Sequence, residues 1–252
     1  MDYDTKLINL ALDAGEIMLG SGAETFRVQD TMRRILSVSG REKIEVLALS
    51  TMLIVTLPRE EKGPLSMARG VKTRAVNFEK ICAVNSMSRA FVSGEISLEE
   101  AAEQIHSIHN TPSFSPAIQI LGYALSSGGF SYIYSYSATD GFFAFFIGML
   151  LGTLMLWIEK KKVPYFLNSF LGGLVTGIAA CAIHKAFPMT HMDKMIIGSI
   201  MPLLPGLTLA KSIRDLLEGN FISGNSKMME ALLIACAIAG GVAIALGLFF
   251  PN

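Results

Sequence analysis

Charge is scarce in this sequence and evenly divided. Lys and Arg number 21, Asp and Glu also 21, together 17% of 252 residues, and the net charge is zero. A nucleic-acid-binding chain carries a basic face or stripe, so that class of partner is set aside. Cysteine is nearly absent: Cys82, Cys181 and Cys236 are widely spaced, odd in number and form no CxxC pair. That excludes a disulfide framework and gives no zinc-type spacing, leaving apolar packing as their role. The chain has no GxSxG, no P-loop and no GxGxxG, hence no nucleophile elbow and no phosphate cradle. No catalytic residue, cofactor or metal is assigned. Met1 to Lys6 carries Asp2 and Asp4 in place of the basic start of a secretory signal, which places the N-terminus in the cytosol.

What the chain has in excess is apolar residues, 51% with a mean hydropathy of +0.47, above the usual soluble range. They are unevenly placed. Through Ser115 the sequence holds 28 of its 42 charges, and Pro116 to Asn252 holds the other 14. Water is implied as the first solvent and the lipid bilayer as the second. The expected fold is an α+β cytosolic domain over residues 1–112, followed by an all-α transmembrane bundle of five helices over 113–252.

In the first part, Leu7, Ile8, Leu10, Ala11, Ala14, Ile17 and Met18 recur at helical spacing with Asp13 and Glu16 opposite, a helix ending at Gly20. Ser21 with Glu24 fits a capping box opening a second helix, whose stripe is Phe26, Val28, Met32, Ile35 and Leu36 and whose stop is Gly40. From Lys43 the pattern shortens. Ile44 to Leu47 and Met52 to Leu57 read as strands joined near Ser50, Glu60 to Pro64 as a turn, and Leu65 to Val71 as a third strand. Helices follow over Asn77 to Ser93 and Ser97 to His109, the latter with Ser97 and Glu100 as a further capping box. His106 and His109 share a helical face, but no Asp, Glu or Cys at ligand spacing joins them; a solvated helix end explains them. Arg27, Arg33, Arg34, Arg69, Lys72 and Arg74 fit an anion site, the membrane surface or a charged exterior.

Five spans are expected at about 116–136, 140–158, 164–187, 193–217 and 228–250, each long enough for a hydrocarbon core of about 30 Å. The loops on the cytosolic side of this arrangement hold Lys160, Lys161, Lys162, Lys211, Arg214 and Lys227, the opposite ones Lys185 and Lys194. This bias puts the N-terminus inside and the C-terminus outside. Tyr132, Tyr134 and Tyr136 fall at the outer interface, Trp157 and Tyr165 at the inner one. Gly148 with Gly152, Gly173 with Gly177 and Gly241 with Ala245 are small-residue pairs for close helix packing, in a compact bundle or an oligomer of the chain.

The fourth span is interrupted by Pro202, Pro205 and Gly206. Each proline lacks a donor and obstructs the preceding turn. The expectation is a broken helix, with Gly206, Leu207 and Thr208 opening a new half-helix whose free amides face an anion. Lys211, Ser212, Arg214 and Asp215 follow, Lys211 and Asp215 on one face. The amides with Lys211 or Arg214 suit a carboxylate substrate; a proline kink with basic residues snorkelling to headgroups explains the same pattern. Ser126, Ser127, Gly128 and Gly129 mark a second weak point in the first span, read as an interruption or as the flexible outer end of an ordinary helix, and Asn168, Ser169 and Thr176 add polar groups to the third, lining a cavity or bonding to neighbouring helices.

Two stretches, Gly20-Ser-Gly-Ala-Glu24-Thr-Phe-Arg27-Val and Pro202-Leu-Leu-Pro205-Gly-Leu-Thr208-Leu-Ala-Lys-Ser-Ile-Arg214-Asp215, resemble the threonine/serine exporter family, specifically its larger N-terminal component. The resemblance covers nearly the whole chain. It implies a plasma-membrane (inner-membrane) protein with a cytosolic domain and five spans, exporting small amino acids or dicarboxylates such as succinate. It further implies the split form, completed by a short membrane protein. The residues it singles out are Ser21, Gly22, Glu24 and Arg27 in the cytosolic motif, and Pro205, Gly206, Thr208, Arg214 and Asp215 in the membrane. With Lys211, Ser127 and Asn168 the latter form the expected substrate-binding set. Against this stands a membrane-tethered, hydrolase-like enzyme with its chemistry in the N-terminal domain, or a purely structural subunit.

Overall fold

The computed structural model describes residues 2–59, 63–72, 76–111, 114–161 and 163–250. Arg74, Lys162, the Tyr165 side chain and the centre of the turn expected over Glu60 to Pro64 lie outside them. The chain forms two compact units, Met1–Ser113 with Ala210–Lys227, and Phe114–Leu209 with Met228–Asn252.

The first unit is organised around α1 (Tyr3–Gly20). The sequence pattern predicts an amphipathic helix ending at Gly20, as found, and 12 of its 18 residues are buried, because α2 (Thr25–Ser37), α3 (Phe78–Val92), α4 (Leu98–Asn110) and the sheet all pack against it. The sheet is antiparallel in the order β1 (Glu45–Leu49), β2 (Met52–Leu57), β3 (Leu65–Gly70), with Leu49 opposite Met52 and Leu57 opposite Leu65. Strand alternation sends Val46, Ala48, Leu53, Val55 and Leu57 inward, where they meet Leu7, Ile8, Met32 and Ile35. Gly15 is required here: a Cβ on it would lie 2.5 Å from Met32 Sδ and 2.9 Å from Leu53 Cδ1. Ser97 and Glu100 form the expected capping box on α4.

The expected box at Ser21 and Glu24 does not form. Ser21 is the C-terminal cap of α1, its N–H bonded to Ile17 O at 2.9 Å, and α2 begins only at Thr25 with no side-chain cap. Ser-x-x-Glu is satisfied by a helix end as readily as by a helix start, and here the turn between α1 and α2 takes Ser21 while Arg214 takes Glu24.

The second unit holds α5 (Pro116–Ser135), α6 (Ala138–Lys160), α7 (Tyr165–Ala186), α8 (Met192–Ile200), a 3-10 turn over Met201–Leu203, the first turn of α9 (Gly206–Leu217) and most of α10 (Phe221–Phe249). Three helices among the described residues are long and apolar enough to cross a membrane, α6, α7 and α10; α8 and α9, bent at the proline break, make a fourth when taken as one span. α5, with its serines and Gln119, is not among them. Of the two readings of Ser126 to Gly129, the ordinary helix is the one found: α5 is helical throughout. Its small residues serve packing instead. A Cβ on Gly128 would lie 2.9 Å from Gly141 O, and one on Gly148 would lie 2.5 Å from Tyr123 O, so α5 and α6 touch backbone to backbone. Gly173 sits likewise against Ile238 O at 2.5 Å, joining α7 to α10, and Gly198 against the backbone of Ser131, joining α8 to α5.

Gly173→Ala is therefore expected to cost about 1–3 kcal/mol through overpacking, whereas Gly122→Ala, with open space around it, is neutral or stabilising. Thermal unfolding of the purified variants in one detergent checks the contrast; equal behaviour contradicts the backbone contact.

Candidate functional site

The two sequence motifs meet inside the first unit. After α1 the chain turns sharply: Gly22 adopts φ +81°, its N–H bonds Leu19 O at 3.0 Å and the Ala23 N–H bonds Met18 O at 2.9 Å. This aims the Gly22 carbonyl at Lys211, whose Nζ donates to it. A Cβ on Gly22 would stand 3.2 Å from that Nζ and from Val76 Cγ2, besides the strain of a positive φ. Two residues on, Glu24 pairs with Arg214. Next, Thr25, fully buried, donates its hydroxyl to Asp215 Oδ2 at 3.1 Å.

Asp215 is the centre of the arrangement. Its Oδ2 also accepts from Lys227 Nζ at 2.7 Å, and the same ammonium reaches Thr25 Oγ1 at 3.0 Å. Both charged side chains are nearly enclosed, 1% exposed for Asp215 and 12% for Lys227. Lys227 is delivered by a tight return of the chain. Gly219, at φ +84°, ends α9, the Asn220 N–H bonds Asp215 O at 2.8 Å, and α10 starts at Phe221. Gly224 allows this, since a Cβ on it would lie 2.7 Å from the Leu216 side chain. α10 thus begins seven residues before the expected fifth span.

Removing a carboxylate and an ammonium from water costs several kcal/mol each, repaid only by close pairing and further hydrogen bonds. Thr25 supplies one of these. The other carboxylate oxygen, Asp215 Oδ1, and the Ser212 hydroxyl one turn earlier are buried without a protein partner. Buried polar atoms left over in this way cluster where a structure works for something besides stability.

Lys211 and Asp215, on one face of α9 as expected, take different partners: Lys227 and Thr25 occupy the carboxylate, and Lys211 turns to the Gly22 carbonyl. Of the expected site residues, Lys211, Arg214 and Asp215 come together with Gly22 and Glu24. Ser21 anchors the turn through its carbonyl, which accepts from the Asn77 N–H at 3.1 Å. Arg27 is exposed on α2. Pro205, Gly206, Thr208, Ser127 and Asn168 belong to the second unit. There the break is as expected: α8 ends at Ile200, Pro202 lies in the 3-10 turn, and Leu204 is extended before α9 opens at Gly206. Ser127 is buried and its hydroxyl reaches Ser199 O at 3.5 Å; Asn168 Oδ1, Thr176 Oγ1, Ser131 Oγ and Ser199 Oγ are buried without partners. A buried carboxylate in this unit also escaped the sequence reading: Asp140, fully buried, accepts from the His191 backbone N–H at 2.9 Å and faces its Nδ1 at 2.8 Å.

Sequence reasoning also missed Thr25 and Lys227 as site residues. Thr25 lies inside the quoted motif, so its place was legible; Lys227 registered only as a loop charge. Among the described residues no three His, Cys, Asp or Glu stand where they could hold a metal ion.

Apolar helices of crossing length on both sides of a proline-broken helix define a multi-pass membrane protein. The chain belongs to the threonine/serine exporter family, whose pattern matches residues 9–249. It is 26% identical over 249 residues to the threonine/serine exporter of Corynebacterium glutamicum, covering 96% of this chain and 51% of that protein. It is 23% identical over 255 residues to a probable threonine/serine exporter of Mycobacterium tuberculosis, covering 97% and 46%. The chain spans about half the length of these curated relatives. No solved structure matches it.

Breaking the enclosed pair from one side strands the other charge. Lys227→Met and Asp215→Asn are each expected to destabilise the protein by roughly 3–5 kcal/mol, and the double variant by clearly less than their sum. Denaturant unfolding of the four proteins in detergent measures this coupling, and strict additivity would show that the two side chains do not interact.

Proposed function

We propose that this chain is the larger component of a two-protein exporter that moves L-threonine and L-serine outward across the plasma membrane. The observation that carries the reading is the course of α9. Its first turn, from Gly206 to Thr208, follows the proline break, and its last two turns are fastened at Lys211, Arg214 and Asp215 to the Gly22–Thr25 motif. One continuous helix thus links a helix-start anion site, suited to a substrate carboxylate, to a cytosolic segment held by ion pairs.

In this reading, substrate binding at the broken helix and rearrangement of the Glu24–Arg214 and Asp215–Lys227 pairs are the two ends of one transition. The pairs give α9 discrete positions, as a switching element needs. The N-terminus and the first unit face the cytosol, the C-terminus faces outside, and the five apolar segments from Pro116 to Phe249 form the bundle. The split form implied by the resemblance of the two motifs adds a short membrane protein that completes the exporter. The names of the relatives favour threonine and serine over dicarboxylates, and nothing in the comparisons favours a hydrolase.

The test is counterflow and efflux from proteoliposomes holding this chain and its short partner, loaded with labelled threonine, serine or succinate. Gradient-dependent efflux of threonine and serine is expected, with little for succinate. Arg214→Ala is expected to lower it about tenfold or more, the loss of one charge-assisted contact, and the charge swap of Glu24→Arg with Arg214→Glu to recover part of it. Absence of flux for both amino acids, with the partner present, sinks the proposal.

A further inference from the structure

The first unit carries a cleft that the α9 cluster does not use. It has a volume of about 190 Å³ and runs between the end of α1, the end of β3 and the facing ends of α3 and α4. Its lining brings opposite charges together: Glu16 of α1, Lys72 just after β3 and Lys80 of α3, with His109 at the end of α4. A second hollow continues from it along α1 and α4, sharing Glu16, Ile17 and His109 and adding Asp13 and the apolar Ile105.

Each group has chemistry to spare. Lys80 Nζ gives one of its three donors to His109 O at 2.8 Å, and Arg69, which holds Asp13, meets Glu16 only at 3.5 Å. The C-terminal carbonyl ends of both α1 and α4 lie here, and both favour a cation. An ammonium is therefore received on the Glu16 side and a carboxylate on the lysine side, with the apolar surface of Ile17 and Ile105 beside them.

We infer that this cleft binds a free zwitterionic α-amino acid, its carboxylate on Lys72 and Lys80 and its ammonium on Glu16. That the ligand is the exported amino acid itself rests on the function proposed above. A purely anionic ligand leaves Glu16 opposed by a like charge, and a divalent cation meets two lysines. The consequence lies in the adjoining turn. Gly20 and Ser21 line the cleft, and the next residue, Gly22, presents the carbonyl that holds Lys211. A ligand in the cleft stiffens this turn, so the concentration of cytosolic amino acid sets how firmly α9 is held: the cleft is a regulatory site on the exporter's cytosolic face.

The experiment uses the full chain in lipid nanodiscs with L-threonine, L-serine and succinate as probes. Equilibrium binding of labelled threonine is measured beside hydrogen exchange of residues 13–22 and 105–110. Saturable binding is expected, with slowed exchange in both segments, and Glu16→Gln or Lys80→Met weakens it about tenfold or more while Lys80→Arg restores it. Circular dichroism and unfolding confirm that the variants are folded. Binding untouched by both variants, or protection by succinate alone, overturns the assignment. Threonine efflux that persists without any protection of these segments also overturns it and leaves the export reading standing; protection by threonine in a chain that exports neither amino acid removes the export reading and leaves the cleft as an amino-acid site.

Discussion

One enclosed carboxylate, Asp215, sets terms for much of the first unit. A charge that has left water must be matched, and its matches come from distant parts of the chain: the Thr25 hydroxyl from the start of α2 and the Lys227 ammonium from the start of α10. To bring these three together, α1 must end in the Gly22 turn, α9 must end at Gly219, and α10 must fold straight back over Leu216. The positive φ angles at both glycines and the small size of Gly224 are conditions of that meeting. Arg214 with Glu24 and Lys211 with the Gly22 carbonyl then lie along the same face of α9, so the motif that looks like two separate sequence signatures is one structure.

The second unit is governed by a different constraint. Between helices in lipid there is no water to expel, so cohesion depends on close packing and hydrogen bonds. Glycines at 128, 141, 148, 173 and 198 let main chains touch, and the serine hydroxyls they expose lie between α5 and α8. Among the described residues, Ser131 Oγ and Ser199 Oγ are buried there without a protein partner.

Local features were legible in the sequence, and long-range ones were not. The end of α1 at Gly20, the hairpin at Ser50, the Ser97 capping box and the break at Pro202 and Pro205 each follow from the geometry of a few adjacent residues. The failures have the same origin. Ser21 with Glu24 matches a capping pattern locally, and the partner that takes Glu24 away is 190 residues on. Ser126 to Gly129 looks weak as an isolated helix, but the facing backbone of α6 fills the space that Gly128 leaves. The placement of Lys227 against Asp215 depends on a reversal at Gly219 that no periodicity announces, and the cleft at Glu16 is assembled from four elements, none of which shows a binding pattern alone.

The first unit is made of two stretches of chain, and the second stretch, Ala210–Lys227, is synthesised about a hundred residues after the first has left the ribosome. At roughly 5–20 residues per second this is a wait of several seconds. Throughout it Thr25 and Glu24 lack their partners, while α5 to α8 are being delivered to the bilayer. The first unit therefore completes its fold only after most of the apolar helices have been made, and its maturation reports that the broken helix has arrived.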